Sequence, residues 1–66
     1  MKNNIRVERA IKKITQEQLA NLVGVSRQSI NAIESGKYVP STVLALKLAS
    51  VFEKSVEEIF ELEEGD

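Results

Sequence analysis

Four hydroxyl residues divide this chain. Thr15, Ser26, Ser41 and Ser55 each precede a run whose apolar residues recur at helical spacing. A side-chain oxygen there can accept a hydrogen bond from the free N–H groups of a first helical turn. Thr15 with Gln18 and Ser55 with Glu58 complete the pattern in which the third-position side chain returns a bond to the cap. Helix starts at 15, 26, 41 and 55 leave room only for short helices. Gly24 and Gly36 are suited to the left-handed residues that close the second and third. In "KYVP", Pro40 pushes Val39 extended, which marks a loop.

The remaining periodicities complete the series. Val7, Ala10, Ile11 and Ile14 repeat at 0, 3, 4 and 7 and predict a first helix. The fourth is apolar on more than one side and should be central to the core. Val56, Ile59 and Phe60 give a short fifth helix. Beyond it, "FELEEGD" alternates, with Phe60 and Leu62 inward. A strand there needs a partner, and "NNIRV" is the only candidate. The expectation is an all-α, five-helix domain over residues 1–66 with a short terminal two-stranded β pairing. Leu19, Leu22, Val23, Ile30, Ile33, Leu44 and Leu48 are assigned to its core. A chain of 66 residues buries only about 60% of the surface its unfolded form exposes, so it gains from a partner.

Composition narrows the chemistry. There is no cysteine and no histidine, so disulfides and thiolate or imidazole metal sites are excluded. No cofactor and no catalytic constellation is expected, and the chain does not read as an enzyme. No apolar run approaches the ~20 residues of a membrane span, and the N-terminus is too polar for a signal peptide. A cytoplasmic location follows as the expectation. Net charge is -1, but unevenly spread. Residues 1–40 carry seven lysines and arginines against three glutamates, +4. Residues 41–66 carry two against seven acids, −5. That asymmetry points to a basic binding face with an acidic remainder.

The second and third helices hold the functional signal. "TQEQLANLVGVSRQSINAIE" reads as helix, short turn, helix. Ala20 permits close approach, and Gly24 and Val25 supply the turn and its apolar plug. This is the layout whose second helix enters the DNA major groove. On that helix Arg27, Gln28, Ser29 and Asn31 replace the usual Glu and Lys with directional donors and acceptors. Arginine matches guanine O6 and N7, and glutamine matches adenine N6 and N7. Arg27 could instead hold a phosphate. Asn31 shares their face, and Ala32 beside it could meet a thymine methyl or simply be small.

With "TQ-x-x-LA", "GVSRQ-x-I" and "IE-x-GK" together at 15–37, and "LALKLASVFEKSVEEIF" at 44–60, the chain resembles the XRE family of phage-repressor and Cro-like helix-turn-helix proteins. The resemblance covers nearly all of it. It implies a lambda-repressor-like domain, commonly a homodimer on double-stranded DNA, inserting the helix at 26–34 into a palindromic operator as a transcriptional repressor. It places base-edge contacts at Arg27, Gln28, Ser29, Asn31 and Ala32, although Ser29 could equally meet a phosphate or be plain surface. Phosphate contacts fall to Gln16, Ser26, Ser35, Lys37 and Tyr38, although Tyr38 could equally pack on Pro40 and the fourth helix. It also implies an ion pair between Glu34 and Arg9. Two departures stand out. Glu8 replaces a frequent leucine, so the first helix is rotated or shortened, or Glu8 pairs with Lys12. Val39 replaces a polar residue found in some relatives. Val51, Val56, Phe60 and Leu62 are surplus apolar residues that could form the dimer interface or finish the monomer core. An antitoxin-type autoregulator that binds a toxin, and a helical protein-interaction module without a DNA role, are the competing readings.

Overall fold

The computed structural model describes residues 1–66. Five helices span Ile5–Lys12 (α1), Gln16–Val23 (α2), Arg27–Glu34 (α3), Thr42–Phe52 (α4) and Val56–Ile59 (α5). Two-residue strands at Lys2–Asn3 (β1) and Phe60–Glu61 (β2) pair antiparallel, with Lys2 opposite Glu61 and Asn3 opposite Phe60. The expected strand pair is therefore present but shorter and earlier than "NNIRV", because Ile5 already begins α1.

Each capping residue performs as its position requires. The Thr15 hydroxyl accepts from the Gln18 N–H at 3.0 Å, and the Gln18 carbonyl oxygen accepts from the Thr15 N–H at 2.8 Å. Ser26, Ser41 and Ser55 accept from the N–H groups of Ser29, Leu44 and Glu58. Gly24, with φ +77°, closes α2 and turns the chain into α3. A side chain there would sit in the left-handed region that favours glycine. Lys13 and Glu53 close α1 and α4 in the same region without being glycine.

The core is one cluster. Leu19, Ala20 and Val23 of α2 meet Ile30 and Ile33 of α3, Leu44, Leu48, Ala49 and Phe52 of α4, and Ile5, Ile59 and Phe60 from the two chain ends. Val25 packs against it from the turn. Five expected inward positions, Val7, Ala10, Ile11, Leu22 and Leu62, lie outside. Leu22 is exposed on α2, and Leu62 is 77% exposed because the strand ends at Glu61. On α1 the inward face is not the Val7–Ala10–Ile11 stripe. Val7 and Ile11 are exposed, while Ile5 and Glu8 are buried. Only Ile14 of that stripe packs against the core.

Charged partners explain this orientation of α1. Glu8 faces inward because the Lys54 ammonium reaches its Oε2 at 2.8 Å. Glu8 does not pair with Lys12, which instead reaches Glu53 at 3.3 Å. Arg9, one residue further on, reaches Glu34 on α3.

Candidate nucleic-acid interface

Helix α3 is held from both ends. At its start Ser26 caps it, and the Ser26 and Ser29 hydroxyls lie 3.1 Å apart. At its end the Asn3 side-chain amide donates to the Ile33 carbonyl at 2.8 Å. The Asn3 side-chain oxygen accepts from the Ile5 N–H, so one residue joins the end of β1 and the start of α1 to the end of α3. Below, Ile30 and Ile33 anchor the helix in the core.

Its inner flank carries an ion pair. The Arg9 guanidinium donates from Nε to Glu34 Oε2 at 2.6 Å and from Nη2 to Oε1 at 3.0 Å. This two-pronged geometry is the strong form of an arginine–carboxylate contact. The pair implied by the resemblance is thus in place. Arg6 adds a second cation at 3.6 Å, and Arg9 Nη1 also donates to the Ile14 carbonyl in the turn before α2. The Glu34 side chain is 1% exposed. Burial alone would push its carboxyl up, but hydrogen bonds from Arg9 and Gln16 and the Arg9 and Arg6 charges outweigh this and hold it below the ordinary value.

The outer flank is polar and open. Gln16 at the start of α2 and Arg27, Gln28 and Asn31 of α3 line one cleft of about 190 Å³ that has no apolar residue in its wall. Gln16 spans to α3: its side-chain N–H₂ lies 3.3 Å from Asn31 Oδ1 and 3.3 Å from Glu34 Oε1. Sequence patterning did not reveal this link, because its partners stand 15 and 18 residues from Gln16. Arg27 and Gln28 are exposed and make no side-chain bond within the chain.

The other candidate residues lie around this cleft. Ser29 and Ala32 are half-buried on α3 and do not line it. Ser35 donates its hydroxyl to the Ala32 carbonyl at 3.2 Å, and Lys37 follows on the surface with no ion pair. The Lys37 N–H closes back onto the Ala32 carbonyl at 2.9 Å, fixing the loop against the helix end. Tyr38 lines a separate shallow cavity with Val43, Leu44 and Lys47 of α4. Of the dimer candidates, Phe60 belongs to the core, Val51 and Val56 pack partly against it, and Leu62 is exposed. No helix is long and apolar enough to cross a membrane.

Known proteins share this plan. The family model described as helix-turn-helix matches residues 5–59. An uncharacterized HTH-type transcriptional regulator of Methanocaldococcus jannaschii is 50% identical over 66 residues, all of both chains. The uncharacterized HTH-type transcriptional regulator YgzD of Bacillus subtilis is 48% identical over 97% of each chain. Among solved structures, the restriction-modification controller protein C.AhdI from Aeromonas hydrophila is similar, with a TM-score of 0.77 and 36% identity over 85% of each chain. The capped α2, the glycine turn, the anchored α3 and these matches together place the chain in the XRE-type helix-turn-helix family of transcriptional regulators.

Proposed function

We propose that the protein is a sequence-specific DNA-binding regulator that works as a homodimer and represses by occluding a promoter. One observation carries the reading. The exposed face of α3 and the start of α2 converge on a cleft walled only by Gln16, Arg27, Gln28 and Asn31. Arg27 and Gln28 have no competing partner, so their full hydrogen-bonding capacity is available to base edges. Ser29 and Ala32 border the same helix face and shape the approach to the groove. Ser26, Ser35, Lys37 and Tyr38 frame α3 at its two ends, where phosphates of the flanking backbone would pass. Gln16 would meet a phosphate through its backbone N–H at the start of α2, since its side-chain N–H₂ is engaged with Asn31 and Glu34.

A second copy would dock where α4 and α5 meet the N-terminus and the loop that follows α3. There Met1, Val39, Pro40, Ala45, Leu46, Val56 and Phe60 line an apolar groove of about 250 Å³. Val51 and Leu62 extend the same surplus of apolar residues. Such a regulator acts on the chromosome and so in the cytoplasm.

The test is selection of bound sequences from a random duplex pool. The expected product is a palindrome with half-sites about 34 Å apart, one turn of DNA. If no motif is enriched at moderate salt, DNA reading is wrong and a protein-interaction role takes its place.

A further inference from the structure

We propose that the buried Arg9–Glu34 pair fixes, through Gln16, which way the Asn31 amide faces, so that Asn31 offers base edges hydrogen-bond donors only. The inference rests on the DNA-reading role proposed above and names what one position of the operator must be.

The argument is one of hydrogen-bond polarity. Arg9 can only donate, and it holds Glu34 ionised by two charge-assisted bonds. An ionised carboxylate can only accept. The Gln16 group 3.3 Å from Glu34 Oε1 must therefore be its N–H₂ rather than its oxygen. That same nitrogen lies 3.3 Å from Asn31, so the Asn31 atom facing it must be the oxygen Oδ1. The Asn31 N–H₂ is left pointing into the cleft beside Arg27 and Gln28, with no partner in the chain. Each step follows from the one before, beginning at a carboxylate that is 1% exposed.

A free asparagine reads adenine with both ends of its amide, the nitrogen to N7 and the oxygen to N6. Here the oxygen is already engaged inside the protein. What remains suits acceptors: guanine O6 and N7, or thymine O4. Cytosine presents an amino donor and is disfavoured, and adenine loses its second bond. Gln28 differs, because its amide has no partner in the chain and can turn to match adenine. Gln16, Glu34 and Arg9 are thus positioning residues for Asn31.

The same random-pool selection, run on variants, tests this. Asn31→Ala identifies the Asn31-dependent position as the one whose preference it relaxes. In the wild type that position should hold guanine or thymine. Asn31→Asp keeps the inward oxygen for Gln16 but turns an acceptor outward, so preference should move to cytosine or adenine. Gln16→Ala frees the amide to turn, and adenine at that position should gain about tenfold relative to guanine, the scale of one good base contact. Preferences set by Arg27 and Gln28 should persist in all three variants, which also shows that they fold. Adenine at the Asn31-dependent position of the wild type overturns the inference while leaving DNA reading intact. So does an unchanged profile in Gln16→Ala. Failure of the wild type to enrich any motif overturns both.

Discussion

Glu34 is the residue on which most of the site's geometry rests. Its carboxylate sits under α3 with Arg9 on one side and Gln16 on the other. Removing one partner of a buried pair leaves the other charge without compensation, which costs about 3–5 kcal/mol. Glu34→Ala should lower unfolding free energy by about 3 kcal/mol, enough to threaten a small domain. Urea denaturation at neutral pH measures it, and an unchanged midpoint would remove Glu34 from this role. The pH dependence has a definite sign. Because the folded-state value lies below the ordinary 4.5, the contribution is fully present above 4.5 and is lost as pH falls through the folded value. Stability of the wild type should therefore fall more steeply than that of Glu34→Gln as the pH is lowered below 4.5. Parallel curves would show that Glu34 does not carry the acid sensitivity.

Among the elements, α1 is the informative one. The starts of α2 to α5, the α2–α3 turn and the existence of a terminal strand pair were legible in the sequence, since caps and glycine turns act within three or four residues. The inward face of α1 was not. Its apolar stripe at Val7, Ala10 and Ile11 points outward, and Glu8 and Arg9 point inward because their partners, Lys54 and Glu34, stand 46 and 25 residues away. Hydrophobic periodicity cannot register a buried ion pair, so it selected the wrong side. Half of the site was legible for a similar reason. Arg27, Gln28 and Asn31 share a helix face that spacing alone defines, whereas the Gln16 bridge depends on how α2 crosses α3. The orientation of α1 gives opposite expectations for two isoleucines. Ile5 is fully buried, and Ile5→Ala should cost about 2–5 kcal/mol. Ile11 is 65% exposed, and Ile11→Lys should stay within about 0.5 kcal/mol of the wild type. Comparable losses in thermal melts of the two variants would mean that α1 turns its other face to the core.

The whole molecule is small against its proposed target. Its longest dimension is 31 Å, so one copy spans less than the 34 Å or so of a full DNA turn. Fewer of its cations are free than the sequence count suggests. Of the seven cations in residues 1–40, Arg6 and Arg9 share the single charge of Glu34 and Lys12 pairs with Glu53, leaving Lys2, Lys13, Arg27 and Lys37 without an ion pair. With so few phosphate contacts available, one copy should bind weakly, and the proposed palindromic site read by two copies would supply the missing affinity and length. The groove beside Leu46 is the surface that a twofold partner would cover, since Leu46 and Val39 at its rim are exposed while Phe60 at its base belongs to the core. Leu46→Glu should then keep the helical fold, because the side chain is more than half exposed in the single chain, while the melting temperature falls by whatever association contributes. It should also shift the mass in sedimentation equilibrium from twice the 7.4 kDa chain to one chain and abolish binding to the two-half-site duplex. A wild type that sediments as one chain at about ten micromolar and above, yet binds that duplex as tightly as a half-site pair requires, would rule out the dimer and leave the groove to another occupant. Salt gives an independent measure of the same assembly. If each copy places Lys37 on a phosphate, Lys37→Ala in a dimer should reduce the slope of log affinity against log salt by about 1.8, two phosphates at about 0.9 each, whereas a monomer would lose only half of that.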